Sequence, residues 1–139
     1  MRKLLAVAAV ALAITSVAYA AAPKGAVHGK FTIGALAATD PLAKYVKGTA
    51  VWCAWKKDHV IVHVNLKNGS AEHITASIEP AYDILRGSTH GAGITNLKNF
   101  GVDGGAFRSL WIDAGKPKGV APHAVISRCH PSLFLVKSG

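Results

Sequence analysis

Residues 59–66, HVIVHVNL, carry an aliphatic side chain at every second position. Strict alternation over eight residues is typical of a β-strand that buries one face and exposes the other. The positions from Val60 to Leu66 that share this phase are therefore predicted to face the core. The positions between them are predicted to face outwards.

The same alternation continues on both sides of this strand. Residues 51–55 alternate before it, and residues 74–78 alternate after it. Between the second and third strands, the segment Asn68–Ser70 has the composition of a turn. A three-residue turn pairs Val64 with Ile74 and keeps both on the core face, so these two strands are expected to form a hairpin.

Shorter apolar runs, bounded by glycine, proline and asparagine, predict the remaining strands. They cover residues 31–33, 82–85, 106–113, 124–128 and 133–136. Seven or eight short strands separated by turns are typical of an antiparallel β-sandwich or a small barrel. The expected fold is therefore all-β. The expected core residues are Val60, Val62, Val64, Ile74, Ile78, Trp111 and Val125.

Helical propensity is confined to residues 35–47 in the part of the chain after residue 20. Asp40 and Pro41 suit the N-cap and the first position of a short helix. We therefore expect at most one short helix, near residues 40–47.

The first 20 residues have the three parts of a secretory signal peptide. Arg2 and Lys3 form a basic start, residues 4–17 form an apolar run, and Ala18-Tyr19-Ala20 supplies the small residues that signal peptidase accepts. The apolar run is shorter than the ~20 residues of a membrane-spanning helix. We therefore expect export to the periplasm or the exterior, with no stable membrane anchor after cleavage. The predicted organisation is a signal-peptide helix at 1–20, a flexible leader at 21–30 and a single β-sandwich domain at 31–139.

Cys53 and Cys129 are the only cysteines in the chain. Exported compartments are oxidising, and neither cysteine belongs to a C-x-x-C motif. We therefore expect a structural disulfide between Cys53 and Cys129.

The strand pattern over residues 31–136, with two cysteines far apart in it, resembles secreted immunoglobulin-like and fibronectin-III-like domains. The resemblance implies a β-sandwich architecture. It does not imply a particular activity, cofactor or partner.

The histidines suggest one alternative function. His59 and His63 lie on one face of the predicted strand, and in the predicted hairpin His73 is diagonal to His63. Diagonal neighbours in a sheet are about 7–8 Å apart, a spacing at which imidazoles can share a Cu or Zn ion. The alternative is therefore an exported metal-binding protein with His59, His63 and His73 as ligands.

Residues 87–105 form the longest segment without strand periodicity, and they contain six glycines. Loops of this length are uncommon in compact domains and often carry function. We therefore expect this segment to provide ligand contacts. The candidate residues are Thr89, His90, Asn96, Lys98 and Asn99.

The chain has 16 Lys and Arg against 7 Asp and Glu, and removal of Arg2 and Lys3 with the signal peptide leaves a net charge of +7. Positive charge favours anionic polymers, whereas nucleic acid is not expected for an exported chain without a basic helix. The sequence contains no nucleophile elbow, P-loop or glycosidase-like carboxylate pair. The predicted function is an exported, non-enzymatic binding or accessory module without a cofactor. Its expected partner is an anionic envelope polymer or another exported protein.

Overall fold

The structure is a computed structural model that describes residues 21–86, 89–92 and 97–139. The predicted signal peptide and Asn96 lie outside these residues. The described strands are β1 (Val27–His28), β2 (Thr32–Ile33), β3 (Val46–Lys56), β4 (His59–Asn68), β5 (Ile74–Glu79), β6 (Tyr82–Arg86), β7 (Thr89–Ala92), β8 (Lys98–Val102), β9 (Phe107–Asp113), β10 (Ile126–Cys129) and β11 (Ser132–Ser138). The all-β prediction is confirmed.

The strands form three sheets. Sheet A has the order β1-β3-β4-β9, sheet B the order β2-β11-β5-β8, and sheet C the order β10-β6-β7. Neighbouring strands are antiparallel except β2 and β11, which are parallel, so sheet B is mixed. Buried residues from all three sheets belong to one hydrophobic cluster.

Two short 3-10 helices precede β3, at Ala37–Thr39 and Pro41–Tyr45. The Asp40 side chain accepts a hydrogen bond of 2.8 Å from the Leu42 backbone N–H, which satisfies one donor at the start of the second helix. The predicted N-cap is therefore confirmed, although the region contains two helical turns where one was expected. The predicted leader, 21–30, contains strand β1, which pairs with Cys53 and Trp52 of β3.

Sheets B and C are two parts of one antiparallel ribbon. Strand β5 is followed directly by β6, and β10 is followed directly by β11. The two pairs of strands, β5 with β11 and β6 with β10, keep the same residue register where they meet. The flanking pairs are Glu79–Ser132 in sheet B and Tyr82–Cys129 in sheet C. This register places Pro80 opposite Pro131. Because proline has no backbone N–H to donate, the ladder is interrupted between the two sheets at this point.

Strand β4 buries the predicted face completely. Val60, Val62 and Val64 are 0% exposed, as are Ile74 and Ile78 of β5. These five core predictions are confirmed.

The other two core predictions are wrong. Trp111 is 53% exposed and Val125 is 62% exposed. Leu110 and Ile112 point into the core from β9, so the alternation of that strand places Trp111 on the outside. Val125 lies just before β10, where Ile126 takes the buried position.

The predicted hairpin between β4 and β5 is also wrong. Strand β4 pairs with β3 and β9, whereas β5 pairs with β11 and β8, so the chain crosses from sheet A to sheet B after Asn68. The Asn68 side chain holds this crossover. Its amide nitrogen donates to the carbonyl oxygens of Glu72 and Val102 at 2.7 and 3.0 Å, and its oxygen accepts from the Ser70 hydroxyl at 2.7 Å.

Substitution Asn68→Ala is expected to destabilise the fold by about 2–4 kcal/mol, because it leaves buried carbonyl and hydroxyl groups without partners. Urea unfolding followed by tryptophan fluorescence measures the loss. The control is Asn99→Ala, which removes an exposed side chain bonded to the Ser77 hydroxyl. Equal stability of the two variants would contradict a bracing role for Asn68.

The segment 87–105 is not an irregular loop in the part that the structure describes. It contains β7, which pairs with β6, and β8, which pairs with β5. Two edge strands therefore account for part of its length. The glycines interrupt the apolar alternation by which these strands could have been predicted.

The predicted disulfide between Cys53 and Cys129 is confirmed. It joins β3 of sheet A to β10 of sheet C, and both cysteines are buried.

Candidate functional site

The outer face of sheet A carries a row of rings across three neighbouring strands. Trp52 of β3 pairs with His63 of β4, and His63 pairs with Trp111 of β9. The Trp52 and His63 rings are stacked, with centroids 4.9 Å apart and an interplanar angle of 11°. Trp111 meets both rings edge-on, at 5.1 and 4.9 Å. We call Trp52, His63 and Trp111 the aromatic row.

His63 is 0% exposed, although its strand position predicts an outward-facing, solvated side chain. Its Nδ1 lies 2.7 Å from the Ala50 carbonyl oxygen, and its Nε2 lies 3.0 Å from the Ser109 hydroxyl. A carbonyl oxygen can only accept, so Nδ1 carries the proton and Nε2 is free to accept from Ser109. The two hydrogen bonds allow the imidazole to be buried beneath the tryptophans.

A β-bulge in β3 makes the first of these hydrogen bonds possible. Thr49 pairs with Asn65 and Trp52 pairs with His63, so two residues of β3 stand opposite one residue of β4. Ala50, within the bulge, has a positive φ of 50°, a conformation that is unfavourable for a residue with a Cβ. The bulge turns the Ala50 carbonyl towards the outer face, where His63 binds it.

A groove of about 510 Å³ lies beside the aromatic row. Trp52, Ala54 and Lys56 of β3 line it together with Ile61 of β4. The remaining lining residues are Pro23, Trp55, Trp111 and Asp113. The groove therefore combines an apolar, aromatic wall with a few charged groups, which is the usual composition of a ligand site.

Lys56, which lines this groove, is one of four exposed lysines in this region. Lys56 and Lys57 stand at the turn between β3 and β4, and Lys116 and Lys118 stand in the segment after β9. The Lys116 ammonium group lies 3.3 Å from an Asp58 carboxylate oxygen, which places that segment against the turn. We call Lys56, Lys57, Lys116 and Lys118 the basic end of sheet A.

The acidic residues of this region are already paired. The hydrogen bond from Lys116 holds the pKa of Asp58 below its usual value. The hydrogen bond from His59 is the main cause that holds the pKa of Asp113 below its usual value, and the Gly115 N–H adds to the effect. Both carboxylates are therefore ionised at neutral pH and offset part of the lysine charge.

The three histidines predicted as metal ligands lie in three separate environments. His59 contacts Asp113 at 3.0 Å, His63 is enclosed in the aromatic row, and His73 contacts Asp103 at 2.6 Å. The register that would place His73 diagonal to His63 does not exist, because β4 and β5 do not pair. Across residues 21–86, 89–92 and 97–139, no group of three or more His, Cys, Asp or Glu residues could hold a metal ion.

The residues predicted to bind ligand lie away from sheet A. Thr89 and His90 are on β7, at the edge of sheet C, and Lys98 and Asn99 are on β8, at the edge of sheet B. Lys98 and Asn99 are exposed, and Asn99 accepts a hydrogen bond from Ser77 at 2.6 Å. Their role in binding stays a prediction.

Sequence reasoning missed the groove because it assigned Trp111 to the core. One signal could have shown it. Phe107, Ser109 and Trp111 share one phase of β9, and Leu110 and Ile112 share the other, so the aliphatic pair competes with the tryptophan for the core face.

In the described part of the chain, no helix is long and apolar enough to cross a membrane. Comparison of the chain with known protein families, with curated proteins and with solved structures found no match.

Proposed function

We propose that this protein is an exported β-sandwich module that binds an anionic envelope polymer at the basic end of sheet A and along the adjoining groove. The observation that carries the proposal is the grouping of Lys56, Lys57 and Lys116 around one turn, with Lys118 two positions beyond Lys116 in the same segment. These four residues come from two segments that are about 60 positions apart in the sequence. The disulfide is compatible with the oxidising compartment that export requires.

The groove gives such a polymer a second type of contact. A chain of sugars or other linked units that is neutralised at the lysines can continue past Ile61 towards Trp111, whose ring is half exposed. Aromatic rings provide large contact areas at low conformational cost, so Trp111 favours a partner with flat apolar faces. Charge at one end and an aromatic wall beyond it match a partner that has both anionic groups and rings.

The proposal is tested with dextran sulfate and neutral dextran of equal chain length, since the two polymers share a sugar backbone and differ in charge. We expect the mature protein to bind dextran sulfate and to leave neutral dextran unbound in isothermal titration calorimetry. Raising the ionic strength from ~0.1 M to ~1 M shortens the screening length from about 10 Å to about 3 Å and should release the polymer. Equal binding of both polymers would contradict recognition by charge.

The triple variant Lys56→Gln, Lys57→Gln, Lys118→Gln tests the location of the site. A lysine near an anionic surface contributes about 1 kcal/mol, so the loss of three is expected to weaken binding about 100-fold. The control triple variant is Lys30→Gln, Lys47→Gln, Lys137→Gln, which removes the same charge from exposed positions elsewhere. Similar losses in the two triple variants would show that net charge, and not the basic end, determines binding.

The variant Trp111→Ala tests the groove separately. It is expected to weaken dextran sulfate binding roughly 2- to 10-fold, the usual range for an aromatic contact. Because Trp111 is 53% exposed, the fold should be retained. Unchanged affinity would restrict the proposed site to the lysines.

A further inference from the structure

Ser109 and His63 form a hydrogen-bonded pair that polymer binding does not use. The Ser109 hydroxyl lies on the exposed face of β9 and donates to His63 Nε2 at 3.0 Å. A serine hydroxyl is a weak nucleophile unless an adjacent base can take its proton. An imidazole nitrogen that already accepts that proton in a hydrogen bond has the geometry of such a base.

The base is itself held in place by a third group. His63 Nδ1 donates to the Ala50 carbonyl oxygen at 2.7 Å, which fixes the ring and its tautomer. The carbonyl is available because of the bulge and the positive φ of Ala50. Unfavourable backbone conformations of this kind are often retained at functional sites. The stacked Trp52 ring can also stabilise the imidazolium ion that forms when His63 takes a proton.

A second polar group next to Ser109 lacks a partner. Asn65 pairs directly with Ser109 across the strands β4 and β9, so the two side chains are neighbours on the outer face. Asn65 is 1% exposed, and its side-chain NH₂ group has no hydrogen-bond partner in the described structure. A buried donor without a partner costs stability, and a side-chain amide beside a nucleophilic serine is suited to an oxyanion.

From these contacts we propose that Ser109 is the nucleophile of a serine esterase site, with His63 as general base and Asn65 as oxyanion donor. Ala50 acts through His63 as a positioning residue. The class of substrate is a carboxylic ester, which reaches Ser109 on the open strand surface beside Trp111. Ester hydrolysis at Ser109 does not require polymer binding at the basic end.

The reaction proceeds in two balanced steps. In the first, Ser109 Oγ forms a bond to the ester carbonyl carbon while its proton passes to His63 Nε2, and the Asn65 amide donates to the developing oxyanion. Collapse of the tetrahedral intermediate breaks the bond between the carbonyl carbon and the alkoxy oxygen. The alkoxy group takes the proton from His63 and leaves as an alcohol. In the second, His63 takes a proton from water as the hydroxide forms a bond to the acyl carbon. Collapse then breaks the bond to Ser109 Oγ, which takes the proton back from His63, and the carboxylic acid is released. The net reaction converts an ester and water into an acid and an alcohol.

The first experiment treats the mature protein with a fluorophosphonate probe, which reacts covalently with activated serines. Peptide mass spectrometry is expected to locate the probe on Ser109. Ser77→Ala, the matched control, removes another strand serine, partly exposed, whose hydroxyl bonds to an amide oxygen in place of an imidazole. Labelling of Ser109 that persists in Ser77→Ala and is slowed when p-nitrophenyl acetate is present during the reaction supports the proposal. Absence of label from Ser109 overturns it.

The second experiment measures p-nitrophenyl acetate hydrolysis in two variants. Ser109→Ala is expected to lower the rate to that of free imidazole at equal concentration. Asn65→Leu is expected to lower it about 100-fold, as for the loss of one oxyanion donor, while the urea midpoint stays equal or rises because a buried donor without a partner is removed. Wild-type rates in Ser109→Ala overturn the proposal, and wild-type rates in Asn65→Leu overturn the role of Asn65. The Lys30→Gln, Lys47→Gln, Lys137→Gln variant should keep the wild-type rate. Because p-nitrophenyl acetate is small and uncharged, its hydrolysis is measured independently of dextran sulfate binding, so failure of polymer binding and failure of hydrolysis are separate results.

Discussion

The substitution Val62→Asp is expected to abolish the folded state. Val62 is 0% exposed. Its neighbours across the sheet are Cys53 on β3 and Ile112 on β9. An ionised carboxylate placed there has no cationic partner and costs several kcal/mol even after the structure relaxes. Loss of the buried valine adds about 1.5–3 kcal/mol. The total is comparable with the ~5–15 kcal/mol that stabilises a typical domain. Circular dichroism of the purified variant should show loss of the β-sheet signal.

The matched control is Val125→Asp, which makes the same chemical change at a position that is 62% exposed. The fold should tolerate it, since an exposed carboxylate stays hydrated. The two variants therefore test the observed burial of these positions, because the sequence predicts both valines to be buried. A folded Val62→Asp, or an unfolded Val125→Asp, would contradict the observed burial.

Strand β4 shows what alternation can predict. The period of two determined which side chains face the core, because only one phase of HVIVHVNL is continuously aliphatic. It did not determine which strands lie beside β4. That choice depends on Asn68, whose side chain bonds the backbone at Glu72 and Val102 and directs the chain into another sheet. An asparagine at a turn can belong to a hairpin or to a crossover. Its presence in the sequence therefore does not distinguish the two connections.

Burial on the outer face could not be predicted for a related reason. His63 and Asn65 occupy the polar phase of β4, yet they are 0% and 1% exposed. The stacking of Trp52 on His63 and the hydrogen bond to Ala50 require a bulge in β3, which shifts that strand by one residue relative to β4. A shift of one residue changes which side chains share a face, and nothing in the spacing of residues 46–56 indicates it.

The grouping of Ser109, His63 and Ala50 also depends on which strands pair in sheet A. Ser109 and His63 are separated by 46 positions in the sequence, and His63 and Ala50 by 13. The three residues meet only because β3, β4 and β9 are neighbours in sheet A. No local motif marks such a constellation, so it could not be predicted from the sequence. The glycine-rich segment 87–105 was predicted to bind ligand because its strands, β7 and β8, lack apolar alternation.

Removal of the disulfide by Cys53→Ala with Cys129→Ala is expected to lower the free energy of unfolding by about 4.5 kcal/mol. The two cysteines are separated by 76 positions, and in the chain-entropy model a loop of this length restricts the unfolded chain by about that amount. The bridge also joins sheet A to sheet C through a buried contact, so its loss removes packing as well. Urea titration of the mature protein, followed by tryptophan fluorescence, measures the change.

Reduction of the wild-type protein provides the matched comparison. With a reductant present, its urea midpoint should fall to that of the double alanine variant, whereas the variant should be insensitive to the reductant. Single variants are less informative, since each leaves one reactive thiol that can form intermolecular disulfides. Equal midpoints for the oxidised wild type and the double variant would show that sheet A and sheet C hold together through the shared core alone. The stability attributed to the covalent link would then have to come from packing around Val62 and its neighbours.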